Sequence, residues 1–117
     1  MIFGIASSVS ALNAFGKKMA TIANNVANVY SENFKKSRAI FKEEASGGVC
    51  VDIVRSETPG HRVFVEKDDE IVSKEGSNVD LAEELTQAII AKRYYQANVK
   101  SLNTQEKMSG YLLDIKR

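Results

Sequence analysis

Residues 1–28 read MIFGIASSVSALNAFGKKMATIANNVAN, and the spacing of their apolar side chains decides the fold. Ile5, Leu12, Met19 and Val26 recur every seven residues; Phe15, Ile22 and Val29 repeat that spacing three positions on. Two apolar rows in a seven-residue repeat form the a/d seam of a helix that packs along another helix. The spacing predicts a helix over residues 3–28, about 40 Å long at 1.5 Å per residue.

The other faces of this helix are less usual. Between residues 1 and 31 the only charged side chains are Lys17 and Lys18, and the first acidic residue is Glu32. Gly, Ala, Ser, Thr and Asn fill the positions where a solvated helix carries Lys and Glu. Small uncharged residues on every side admit close neighbours all round, and a chain of 117 residues is too short to supply them. Burial by other chains is therefore expected. Asn24, Asn25 and Asn28 are poor helix formers, since a short amide competes for nearby backbone groups. The register puts Asn25 at the edge of the seam and Asn24 and Asn28 on its outer side. A helix C-cap in the left-handed conformation accounts for Asn28. Amides that donate and accept across a subunit contact account for Asn24 and Asn25, without the cost of burying charge.

A second long helix is expected over 80–115. Asp80-Leu81-Ala82-Glu83 fits a capping box, with Asp80 accepting from the first turn and Glu83 reaching back. Leu81, Ala88, Tyr95 and Leu102 form one row, and Leu85, Val99 and Leu113 its companion, interrupted by Lys92 and Glu106. Between the helices, Val49, Val51 and Ile53 alternate with Cys50, Asp52 and Val54 as a strand does. Thr58-Pro59-Gly60 reads as a turn and Arg62–Glu66 as the return strand, a hairpin across 49–67. Lys67–Glu70 and Lys74–Gly76 read as exposed loop, and 30–44 as a short strand or an ordered arm. The fold class is mainly α with a small β part, the two terminal helices forming a coiled-coil-like pair joined by the β-hairpin segment.

Composition narrows the function. A formal net charge of +1 lacks the basic footprint of a nucleic-acid binder. No apolar run approaches the length of a membrane span, and no cleaved secretory signal is evident at the start. One histidine, His61, and one cysteine, Cys50, do not make a metal site or a catalytic pair, so no metal, cofactor or catalytic residue is expected. Asp68, Asp69 and Glu70 lack the ligand spacing of a calcium loop. Lys92-Arg93-Tyr94-Tyr95 mixes basic and aromatic residues, but on a helix these point in different directions, and interface packing is the better reading. An enzyme is not expected.

Two segments add a resemblance. Ser10-Ala11-Leu12 through Ile22-Ala23-Asn24-Asn25-Val26-Ala27-Asn28, followed by Phe34-Lys35-Lys36-Ser37-Arg38 and Phe41, resembles the N-terminal signature of the flagellar rod and hook proteins. Ser77–Leu85, then Ala91-Lys92-Arg93-Tyr94-Tyr95-Gln96-Ala97-Asn98, resembles their C-terminal signature. The short middle segment, without a large inserted domain, is most similar to the proximal-rod members. The resemblance implies a structural subunit of the bacterial flagellar basal body, exported through the flagellar type III apparatus without a cleaved signal peptide. It would polymerise with copies of itself and other rod proteins into the periplasmic rod. It maps residues 1–29 and 80–117 onto the axial core and 30–79 onto a connecting arm and hairpin. The expected subunit interface is Ile5, Leu12, Phe15, Met19, Ile22, Asn24, Asn25, Val26 and Asn28 on the first helix. On the second it is Leu81, Leu85, Ala88, Tyr95, Val99 and Leu102. A self-contained helical-hairpin binding module, such as a small adaptor or secretion chaperone, is the alternative, with the bare helix buried in its own fold.

Overall fold

The computed structural model describes residues 2–116. Helix α1 (Ile2–Ala27) is followed by strands β1 (Ser37–Glu44), β2 (Gly48–Arg55), β3 (Arg62–Lys67) and β4 (Glu70–Glu75), and then by helix α2 (Leu81–Ile115). Both helices fall within a residue or two of the spans expected from the seam, and at about 52 Å α2 outruns α1 by several turns.

Each helix end has a local cause. Asp80 caps α2, its Oδ1 accepting from the backbone N–H of Ala82 at 3.0 Å and of Glu83 at 3.3 Å. Glu83 does not close the box. Its two oxygens accept instead from Lys36 Nζ and Arg38 Nη2, at 2.8 and 2.9 Å. At the end of α1, Asn28 Nδ2 donates to the Asn24 carbonyl at 2.9 Å, satisfying one of the last-turn acceptors. Asn28 thus caps through its amide rather than by a left-handed backbone, the conformation taken by Asn33, φ 55°.

The middle of the chain holds two antiparallel hairpins, not the single one expected. β1 pairs with β2, Phe41 opposite Val51 and Ala39 opposite Ile53, while β3 pairs with β4, Val65 opposite Val72. The alternation of residues 49–54 was legible, but alternation does not name a partner; the turns do. Gly47, at φ 80°, closes the β1–β2 loop in the left-handed position, and Asp68 and Asp69, at φ 54° and 62°, make the two-residue turn between β3 and β4. Thr58-Pro59-Gly60 links the hairpins instead of joining strands. Lys74 and Glu75, expected in a loop, belong to β4.

The helices run antiparallel. Ser8 Oγ accepts from Gln105 Nε2 at one end, Phe15 stacks on Tyr94 midway, and Asn25 donates to Glu84 at the other end. The β1–β2 hairpin packs on α1, where Phe41 meets Phe15 edge to face at 4.9 Å. The β3–β4 hairpin packs on no other element. The described chain measures 83 × 25 × 16 Å with a radius of gyration of 20.9 Å, against about 13 Å for a compact domain of this length. Its buried apolar residues are Ala14, Ile22 and Ala91 alone among the described residues.

Candidate assembly interface

The surface between the helices mixes polar and apolar groups. On α2 Glu84, Ala91, Asn98 and Gln105 turn away from solvent, beside Ala88, Tyr95, Leu102 and Ser109, with Glu83, Gln87 and Val99 half-buried too. Of the expected row, Ala88, Tyr95 and Leu102 lie here and Leu81 does not; the row from Glu84 to Gln105 was not expected. The expected companion, Leu85–Val99–Leu113, is rotated one residue outward, leaving Leu85 and Leu113 exposed and Val99 half-buried. The small residues of α1 explain the rotation. Gly4 sits so near α2 that a Cβ there would lie 3.4 Å from the Gln105 amide, and Ala91, fully buried, gives the room that Leu would not.

Asn25 anchors this surface. It is 1% exposed; its Oδ1 accepts from the Ser37 N–H at 3.0 Å and its Nδ2 donates to the Ser37 carbonyl at 2.7 Å. Nδ2 also lies 3.2 Å from Glu84 Oε2, a carboxylate that is itself buried. One amide therefore holds α1, the start of β1 and the first turn of α2 together, using both of its functions at once. Both functions of the Asn25 amide, expected at a subunit contact, are used inside its own chain. Asn24 remains exposed and Asn28 half-buried.

Asn78 does the same work a few residues before α2. Its Oδ1 accepts from the Lys36 N–H at 2.6 Å, and its Nδ2 donates to the carbonyls of Ser56 and Thr58, at 3.2 and 2.9 Å. The base of the second hairpin is closed by backbone. Gly76 N–H donates to the His61 carbonyl at 2.8 Å, and Gly60 N–H to Glu75 Oε1 at 2.9 Å. The two segments cross so closely that a Cβ on Gly60 would overlap the Gly76 carbonyl. Lys35 donates to Glu75 and, with the Gly60 N–H, holds that carboxyl below the usual carboxylate range. Lys36, followed by Arg38, does so for Glu83. Asp52 pairs with Lys42 across the β1–β2 hairpin and raises the ammonium's pKa.

The remaining seam residues divide by depth. Ile22 is buried; Ile5, Leu12, Phe15, Met19, Val26, Ala88, Tyr95 and Leu102 are half-buried; Leu81 is exposed. Several exposed apolar residues fell outside the expected set. Ile2 and Phe3 at one end of α1 lie beside the overrunning end of α2, where Met108, Tyr111, Leu112, Leu113 and Ile115 are exposed on every side. Phe64 and Ile71 stand on the second hairpin and Ile89 on α2. The uncharged run Met108–Leu113 was the available signal for the tail. No helix of the described residues is long and apolar enough to cross a membrane.

Comparison with known proteins agrees with this geometry. Residues 5–35 match the family described as flagella basal body rod protein, and residues 73–115 match the C-terminal family of the flagellar basal body rod FlgEFG proteins. The flagellar basal-body rod protein FlgC of Escherichia coli O6:H1 is 32% identical over 123 residues, covering 92% of this chain and 90% of that protein. FlgC of Salmonella typhimurium is likewise 32% identical with the same coverage, and FlgC of Yersinia enterocolitica 30%. The two matched regions are α1 with most of the arm that follows it, and the end of β4 with α2; the Asn25–Glu84 bond joins them. The chain belongs to the flagellar basal-body rod protein family.

Proposed function

We propose that the chain is a structural subunit of the proximal flagellar rod, which assembles with copies of itself and other rod proteins through α1 and α2 and carries torque by that packing. Delivery through the flagellar type III export apparatus to the periplasm belongs to the same reading, as does the lack of any catalytic role. One observation carries it: two helices of 26 and 35 residues bury only Ala14, Ile22 and Ala91 as apolar side chains, while the apolar ends of both stand in solvent. A hydrophobic surface that one chain cannot cover is covered by association. Ile5, Leu12, Phe15, Met19, Val26, Leu81, Leu85, Val99 and the amide of Asn24 supply that surface, together with the overrunning end of α2; the Asn28 amide is taken up at home, by the Asn24 carbonyl and the Ser31 hydroxyl.

Amide exchange tests it. In the dilute monomer, residues 2–12 and 106–115 exchange fast, whereas Ser37 and the first turn of α2 stay protected; assembly slows the ends. Full protection of α1 with cooperative unfolding at low concentration would refute the reading. So would finding the chain only in cytosol, with motility intact after its deletion.

A further inference from the structure

The second hairpin packs on no helix and not on the first hairpin. The arm after α1 holds its base, where the Asn33 N–H donates to the Glu75 carbonyl and Glu32 pairs with Lys74. The rest of it stands free, and an isolated two-stranded hairpin is marginal in water. Phe64 and Ile71 share its outer face and are 69% and 77% exposed. Glu66 stands opposite Ile71, and the hairpin ends in Lys67, Asp68, Asp69 and Glu70, so four carboxylates stand against one ammonium. None of these five is in an ion pair, although Glu32, Glu75 and Glu83 nearer the base all are.

The opposite pattern stands on the outward side of α2. Leu85 and Ile89 are exposed there, and one to three turns on come Lys92, Arg93 and Lys100, all exposed and none in an ion pair. Positions 85, 89, 92, 96 and 100 fall on one helical face. Phe64 lies about 13 Å from the hairpin tip along its strand and Ile71 about 7 Å, while Ile89 lies about 5 Å from Lys92 and about 16 Å from Lys100 along the helix. An apolar pair with acidic groups next to it thus answers, in sign, an apolar pair with basic groups next to it. The two patterns do not meet within one chain, because β3 and β4 pack on neither helix.

We propose that the β3–β4 hairpin of one copy docks on the Leu85–Lys100 face of α2 of a second copy, Phe64 and Ile71 against Leu85 and Ile89, the acidic tip against Lys92, Arg93 and Lys100. The contact joins two different surfaces, so it repeats from copy to copy, as a ring or an open helix according to the rotation between copies, rather than as a two-fold dimer. This rests on the assembly reading above and assigns it a specific contact.

Charge reversal tests it on the full chain. Glu66→Lys with Glu70→Lys leaves the Asp68-Asp69 turn intact; Lys92→Glu with Arg93→Glu alters only exposed helix positions. By sedimentation velocity at low salt, each double variant is expected to self-associate about tenfold more weakly, and a mixture of the two to recover. Added salt weakens the wild-type association, since exposed charges are screened beyond about 8 Å at physiological ionic strength. In a Cys50→Ser background, chains carrying Glu70→Cys are expected to link to chains carrying Arg93→Cys through a short thiol-reactive linker. Weakening without recovery in the mixture would overturn the proposal, as would linking of position 70 only to a different rod protein in purified basal bodies. Absence of the wild-type chain from basal bodies would instead sink the proposed function, and leaves the mixing result to stand by itself.

Discussion

The junction around Asn25 and Asn78 and the two outlying parts of the molecule, the end of α2 and the second hairpin, solve the same problem differently. At the junction nearly every polar group has a partner within the chain: Asn25 with Ser37 and Glu84, Asn78 with Lys36, Ser56 and Thr58. In the outlying parts the apolar groups of Phe64, Ile71, Tyr111 and Leu113 face water. Polar bonds are directional and can hold three segments at fixed angles with little burial. Apolar contact is non-directional and needs area, which a thin chain finds only in a neighbour. The one region defines a protomer and the other requires a polymer.

The strongest way to break this contrast is at Asn25. Asn25→Asp removes the donor to the Ser37 carbonyl and sets two carboxylates face to face at Glu84. A loss of about 3 kcal/mol is expected, the order of a buried acceptor and a charge left without partners, read as a drop in the urea midpoint of the monomer. Asn24→Asp, one residue away, should change the stability by no more than about 0.5 kcal/mol, leaving that midpoint nearly unmoved, and impair motility instead. Equal effects of the two on monomer stability would erase the distinction between a residue used inside the chain and one available outside it.

Gly60→Ala should come next. The methyl group has no space beside the Gly76 carbonyl, so the crossing must open, at about 2 kcal/mol, with faster amide exchange in residues 62–75 and little change at Ser37. Asp80→Ala removes the cap of α2 and should cost about 1 kcal/mol.

Acidity gives the smallest effect. The carboxyls of Glu75 and Glu83 are held below their ordinary value of 4.5 by Lys35 and Lys36. A lowered native pKa means that the contribution is fully present above pH 4.5 and is lost as pH falls through the lowered values. Because both carboxylates keep more than a third of their side-chain surface in water the slope is shallow. Urea midpoints taken from pH 6 down to pH 3 should fall less steeply in Glu83→Gln than in the wild type; parallel curves would count against these pairs.

Much of this was legible in the chain itself. A seven-residue repeat with almost no charge specifies a long helix with neighbours on several sides, and Asp80 marks the start of another; these are local properties, set by side-chain spacing and by one oxygen reaching one N–H. The alternation of 49–54 likewise announced a strand. Its partner was not legible, since β1 and β3 offer similar edges and the choice lay in the turns at Gly47 and Asp68-Asp69. Nor was the role of Asn25, which depends on Ser37 and Glu84, twelve and fifty-nine residues away. The rotation of α2 that turned Leu85 outward and Glu84 inward was decided by how closely the small residues of α1 let the helices approach. Sequence by itself determined the elements and that they need company. Tertiary structure decided which groups are satisfied at home and which are left for another subunit, because that division follows from distances between residues far apart in the chain.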